Sequence, residues 1–172
     1  MKKLATHVFS LVFLTTLLLV PCSAGNLNIS GRAGVYTPIQ SGASPSMMYG
    51  LGIEYEINDY LSARLAGETT TYKVDDVQYA FTPVTLDLIY RQPIGPLVPY
   101  AGAGLGYYAQ TVAGETTETM GAQAEAGFRF ALGGLDAGVE FRYMIPDTSD
   151  MSTGSSSYNG YATGTFTQTI TL

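Results

Sequence analysis

Residues 122–132 read AQAEAGFRFAL. One alternate set is Ala122, Ala124, Ala126, Phe128, Phe130 and Leu132; the other is Gln123, Glu125, Gly127, Arg129 and Ala131. A period of two marks a strand with unlike faces. A soluble barrel turns its charged face to water, whereas a membrane barrel encloses it. Which face is wet therefore decides the fold.

The same alternation recurs near 27–37, 47–57, 60–73, 79–91, 97–110, 119–132, 135–145 and 160–172. These segments are about ten residues long, as a transmembrane strand requires, and are separated by turn-forming clusters. The joins at Asn58-Asp59, QPIGPL (92–97) and Gly133-Gly134 read as tight. Those at PIQSGASPS (38–46), VDDVQ (74–78), TVAGETTE (111–118) and PDTSDMSTGSSSYNG (146–160) read as looser. Short turns on one side and longer loops on the other describe an all-β, eight-stranded antiparallel up-and-down barrel.

In every segment one alternate set is free of charge, for example Met47, Tyr49, Leu51, Ile53, Tyr55 and Ile57, or Thr82, Val84, Leu86, Leu88 and Tyr90. No strand is expected to carry charges on both faces. The complementary face holds Arg32, Glu54, Glu56, Arg64, Glu68, Asp87, Arg91, Glu125, Arg129, Asp136, Glu140 and Arg142.

Three features assign that charged face to the barrel interior. It carries glycine rows, Gly102, Gly104 and Gly106 with Gly50 and Gly52; bare glycine weakens a solvated strand but makes room in a crowded lumen. Its cations are arginines, whose planar fork suits enclosed carboxylates. The apolar sets place Tyr49, Tyr55, Tyr90, Tyr107 and Tyr143 near strand ends, as interfacial girdles require. Glu125 and Arg129 thus point inward and the greasy face meets lipid.

Enclosed charges must pair or touch trapped water, because an unpaired buried charge costs several kcal/mol. Turn lengths place Leu132 opposite Leu135, Glu125 opposite Arg142 and Glu54 opposite Arg64, with Arg129 diagonal to Asp136 and Glu140. An internal salt-bridge network built on Glu54–Arg64 and Glu125–Arg142 is expected. An eight-stranded interior is just wide enough for side chains to fill, which favours a plug over a channel.

The start, MKKLATHVFSLVFLTTLLLVPCSAG, has Lys2 and Lys3, an apolar run from Val8 to Val20, then small residues. It reads as a secretory signal peptide over 1–24, cleaved after Ala24, leaving a barrel over 25–172. The competing readings are a first membrane helix, for which the apolar run is short, and lipidation at Cys22, where the preceding Pro21 is the wrong residue. Cleavage removes the single Cys and the single His, Cys22 and His7. Of the eight Lys and Arg, two lie in this leader, against fourteen Asp and Glu. So acidic a chain offers no grip on nucleic acid.

The stretch VPYAGAGLGYY (98–108), with Pro99, Tyr100, Gly102, Gly104, Gly106 and Tyr107, resembles a motif of small outer-membrane β-barrel proteins. That group spans OmpA-type transmembrane domains, OmpX-like proteins and opacity-type surface proteins, and the resemblance covers nearly the whole chain. It implies a bacterial outer-membrane location and assembly by the outer-membrane machinery. One departure is the end, TFTQTITL, where Leu172 stands in place of the usual terminal aromatic.

No enzyme is expected, because without His or Cys the usual bases and nucleophile activators are missing. No cofactor is expected, and no metal site, since the Asp75-Asp76 pair and the Asp147–Asp150 loop lack the ordered spacing of a calcium loop. An even strand number puts both termini in the periplasm and the acidic loops outside. The expected role is surface-structural or adhesive, in a monomer that touches outer-membrane lipid and meets external surfaces or cations through Asp75, Asp76, Glu115, Glu118, Asp147 and Asp150. The competing roles are a narrow pore for small solutes and a soluble periplasmic ligand-binding barrel.

Overall fold

The computed structural model describes residues 27–39, 42–131, 135–147 and 161–171. The expected leader 1–24, Leu132, the expected turn at Gly133-Gly134, Asp150, residues 153–160 and Leu172 lie outside them. Among the described residues the strands are β1 (Leu27–Pro38), β2 (Ser46–Glu56), β3 (Leu61–Val74), β4 (Val77–Arg91), β5 (Leu97–Val112), β6 (Glu115–Ala131), β7 (Leu135–Ile145) and β8 (Tyr161–Thr171). Each pairs antiparallel with the next, and β8 closes on β1 from Asn28↔Thr171 to Pro38↔Tyr161, giving a closed barrel. Closure leaves no sheet edge along the paired strands.

Burial follows the period of two. Strand β4 alternates exposed and buried from Phe81 to Arg91 without interruption, with Val84, Leu86, Leu88 and Tyr90 outside. The outer wall is apolar: Leu51 is 68% exposed, Phe141 66% and Leu105 64%. Inside, Arg142 is 2% exposed and Glu140 0%. The charged face is the enclosed one, which answers the question posed by 122–132 and removes the soluble ligand-binding barrel.

Two expectations about the wall and its joins are corrected. The β3–β4 and β5–β6 connections are not loose loops but two-residue hairpin turns, closed by the pairs Val74↔Val77 and Val112↔Glu115. Asp75 and Asp76 sit at φ 46° and 67°, and Ala113 and Gly114 at 49° and 87°. Two successive left-handed residues make the turn whose twist matches the flanking strands. Asp tolerates that region, while Ala113 enters it at a cost of about 1–2 kcal/mol. The second correction concerns charge on both faces. Tight turns lengthen the strands, β5 to 16 residues and β6 to 17, beyond the roughly ten that cross hydrocarbon. Exposed Lys73 on β3 and Glu118 on β6 occupy the outer face on these extensions, while Glu68 and Glu125 of the same strands stay inside.

The end holding Leu27, Thr171 and the β2–β3, β4–β5 and β6–β7 joins is the terminal end; the opposite end is distal. At the terminal end the Asn58 side chain accepts hydrogen bonds from the Tyr60 and Leu61 amides, both at 2.9 Å, and fixes the β2–β3 turn.

Candidate functional site: the barrel interior

Alternation delivers charged side chains into the lumen from six of the strands, and the middle of the barrel sorts them into a closed ring of alternating charge. Arg32 Nε lies 2.6 Å from Glu68 Oε1, and Glu68 Oε2 accepts from Arg142 Nη1 at 2.8 Å. Arg142 Nε stands 3.3 Å from Glu125 Oε2, and the same carboxylate pairs with Arg64. Arg64 reaches Glu140 Oε2 at 2.8 Å, and Glu140 returns to Arg32. A further bond, Arg142 Nη2 to Glu140 Oε1 at 3.0 Å, crosses the ring. Three guanidinium groups thus face three carboxylates, each acid shared by at least two arginines.

A second cluster closes the terminal end. Glu54 accepts from Arg129 Nη2 and from Ser62 Oγ, both at 2.8 Å. Arg91 pairs with Glu56, approaches Glu54 at 3.9 Å, and donates to the carbonyls of Asn58 and Asp59, each at 3.1 Å. Glu56, half-buried, also accepts from Asn28 Nδ2 at 2.8 Å. Tyr100 joins the two clusters: its hydroxyl donates to Glu140 at 2.9 Å while the Arg129 guanidinium sits over its ring, 5.3 Å from the centroid.

The predicted register holds, with Glu54↔Arg64 and Glu125↔Arg142 as cross-strand partners. The predicted Glu54–Arg64 bridge does not. Arg64 spans the lumen to Glu125 and Glu140, and Glu54 is taken by Arg129. Arg129 likewise ignores its diagonal neighbours Asp136 and Glu140. An arginine is long enough to cross so narrow a lumen, so partners lie across it as readily as beside it. Asp136 stands half-buried at the terminal rim. Asp87 is inside but outside the ring, hydrogen-bonded by Gln123 and by Thr85 Oγ1 at 3.2 Å.

The glycine rows make this packing possible. A Cβ on Gly104 would collide with Asp87, its register partner, and one on Gly127 would collide with the Tyr100 ring, which lies directly opposite.

The distal lumen has other chemistry, which charge alone could not reveal. Tyr36, Met48, Tyr72, Val74, Phe81, Tyr108 and Met144 form a buried apolar cluster. Its rings run contiguously: Tyr72–Tyr36 5.2 Å, Tyr36–Phe81 5.3 Å and Phe81–Tyr108 5.9 Å between centroids, with half-buried Tyr79 stacked on Tyr72 at 5.3 Å. Such pairs contribute about 0.5–1.5 kcal/mol each beyond their buried area. Gln110 donates to the Tyr72 hydroxyl at 2.6 Å. The available signal was parity, since Tyr36 shares a face with Arg32 and Tyr72 with Glu68.

A closed antiparallel barrel, apolar outside and filled by paired charge inside, is a transmembrane barrel of the outer-membrane type. Residues 19–169 match the outer membrane protein beta-barrel domain family, and the chain belongs to it. Among solved structures it is similar to Neisserial surface protein A, with TM-score 0.67 and 19% identity over 85% of this chain and 97% of that one. It is also similar to the N-terminal β-barrel domain of Pseudomonas aeruginosa OprF, with TM-score 0.56 and 18% identity over 85% and 98%. A third likeness is to the outer membrane enzyme PagL, with TM-score 0.55 and 16% identity over 84% and 99%. These likenesses are of fold, and a fold shared with an enzyme assigns no activity. No curated protein matches the sequence.

Proposed function

We propose that this chain is a monomeric, non-enzymatic surface protein of the bacterial outer membrane whose interior is scaffold and whose work is done at the distal end. The observation that carries the reading is how the lumen is filled among the described residues, with an ion-pair ring in the middle and a contiguous aromatic cluster above it. A lumen so filled has no part in transport, which leaves the exterior. In this reading 1–24 is a signal peptide removed on export, the mature barrel is 25–172, and its eight strands leave both termini in the periplasm. The distal end is then extracellular. It presents exposed Asp75, Asp76, Glu115 and Glu118, with half-buried Asp147. Acidic turns and strand ends at a surface favour cations and cationic surfaces. The single His and Cys, His7 and Cys22, fall in the leader, which supports a role without covalent or acid–base chemistry.

The test compares cells producing the full chain with cells in which Asp75, Asp76, Glu115 and Glu118 are replaced by Asn or Gln and 148–160 by a short Gly-Ser turn. The proposal expects equal amounts of folded barrel and reduced attachment to cationic and cell surfaces. Unchanged attachment at equal barrel levels removes the surface-binding role.

A further inference from the structure

Four strands carry one side of the barrel beyond the rest. The described pairing of β6 with β7 stops at Ala122↔Ile145 and that of β2 with β3 at Met48↔Thr70, while β3–β4 and β5–β6 run on to their hairpin turns. Register partners share a face. Two rows therefore cross the inward face of this projecting sheet: Tyr72–Tyr79–Val112–Glu115 at the top, and Phe81–Gln110–Thr117 beneath it. Tyr72 and Phe81 are buried, Tyr79, Val112 and Gln110 half-buried, and Thr117 and Glu115 exposed. Ala43 bridges to Val74 and packs on the cluster at the β3 side, so the open side is that of β5 and β6.

The top row holds a notch. Tyr79 is the last ring of the distal cluster: it stacks on Tyr72 at 5.3 Å and 14°, its one ring contact among the described residues. Tyr72 lies on the β3 side, so the other face of Tyr79 looks toward β5, where its partner is the smaller Val112. Beyond Val112 stands Glu115, whose carboxylate has no hydrogen bond or ion pair among the described residues. Lys73 is on the outer face of the same sheet. An aromatic face and an unengaged carboxylate thus stand on either side of an apolar floor. Gln110, in the row beneath, donates to the Tyr72 hydroxyl at 2.6 Å and keeps its carbonyl as an acceptor.

Ring and carboxylate together select a cation. Directly opposed residues stand about 5 Å apart, so Tyr79 and Glu115, two strands apart, are separated by roughly 10 Å. A planar cation lying about 3.5–4 Å above the ring fills that gap and turns its edge to the carboxylate. Guanidinium meets both demands: it stacks on aromatic faces and binds carboxylates through two parallel N–H groups, whereas an ammonium is a compact, strongly hydrated point charge.

We infer that the notch between Tyr79 and Glu115, floored by Val112, binds the guanidinium of an exposed arginine on a protein or peptide outside the cell. The inference rests on the reading of the distal end as the extracellular, cation-seeking face, and gives that reading a specific contact.

The experiment titrates residues 25–172, refolded in detergent micelles, with Nα-acetyl-arginine amide at fixed ionic strength and follows backbone amide shifts by NMR. Nα-acetyl-lysine amide, of equal charge, is run in parallel. Saturable shifts centred on Tyr79, Val112 and Glu115 are expected, at lower concentration for the arginine probe. Tyr79→Leu keeps every acid and is expected to raise the arginine half-saturation concentration about two- to fivefold, the worth of an exposed cation–π contact. Val112→Phe fills the floor and leaves ring and carboxylate in place; it is expected to abolish the shifts, so the test survives if Tyr79→Leu fails to fold. Glu118→Gln removes a charge from the outer face of the same strand and is expected to weaken binding less than Glu115→Gln. Unchanged half-saturation in Tyr79→Leu or in Val112→Phe, or equal losses from Glu115→Gln and Glu118→Gln, overturns the notch and leaves only diffuse attraction to the acidic end. Equal affinity for the lysine probe overturns the choice of guanidinium. A wild type without saturable distal shifts for either probe overturns the notch together with the cation-seeking reading beneath it.

Discussion

Toward the terminal end and the middle, the lumen is filled by guanidinium and carboxylate groups; toward the distal end it is filled by aromatic rings and methionines. Both halves exclude space, but they respond differently to damage. An ion pair in a low-dielectric interior is close to neutral in net stability when complete and strongly destabilising when one partner is removed. An aromatic cluster holds through buried area and contact, so it tolerates changes that keep its volume. The charged half should therefore be brittle and specific, and the aromatic half forgiving.

The largest expected effect comes from Arg142→Ala. It strips a partner from Glu68, Glu125 and Glu140 together and should cost about 5 kcal/mol, the upper range for breaking a buried pair. Urea unfolding of the refolded barrel, or loss of the heat-modifiable gel band, measures it. Arg142→Lys should rescue little, because one ammonium cannot span three carboxylates. Rescue to near wild type would erase the proposed brittleness.

Phe81→Ala in the aromatic half should cost about 3 kcal/mol, and Phe81→Leu about 1 kcal/mol because it keeps most of the volume. The same unfolding series reads both. If Phe81→Leu proved as damaging as Phe81→Ala, the distal cluster would be as specific as the ring and the contrast would fail.

Arg91→Ala at the terminal rim should cost only about 1 kcal/mol, since Glu56 remains half-exposed and water screens the vacated pair. Its cost should shrink in high salt while that of Arg142→Ala does not, because screening reaches the rim and not the ring. Salt titration of both variants tests this.

The smallest effect belongs to the outer wall. Leu105→Ile, facing lipid, should change stability by less than about 0.5 kcal/mol. Leu105→Arg should cost about 2–4 kcal/mol in a bilayer and little in a soluble fold.

What could be read beforehand divides along the same line. Strand positions, facing and the registers Glu54↔Arg64 and Glu125↔Arg142 were legible, because a period of two and a turn length are local properties of the chain. The partners of Arg64 and Arg129 were not, because a guanidinium reaching across a closed lumen selects by three-dimensional position rather than by register. The distal cluster went unread because inward positions were recognised by charge, and Tyr36, Tyr72, Phe81 and Tyr108 carry none. The Asp75-Asp76 and Ala113-Gly114 turns were read as loops, since their polar flanks resemble loop sequence although two left-handed residues suffice to close each hairpin.

Single-channel recording from residues 25–172, refolded and inserted in a planar bilayer, tests the side-chain-filled lumen most directly. The ring and the aromatic cluster predict a folded, inserted and electrically silent barrel. Discrete, reproducible open steps from that same folded species would contradict it, and would mean that water and ions pass where the arginines and rings are placed.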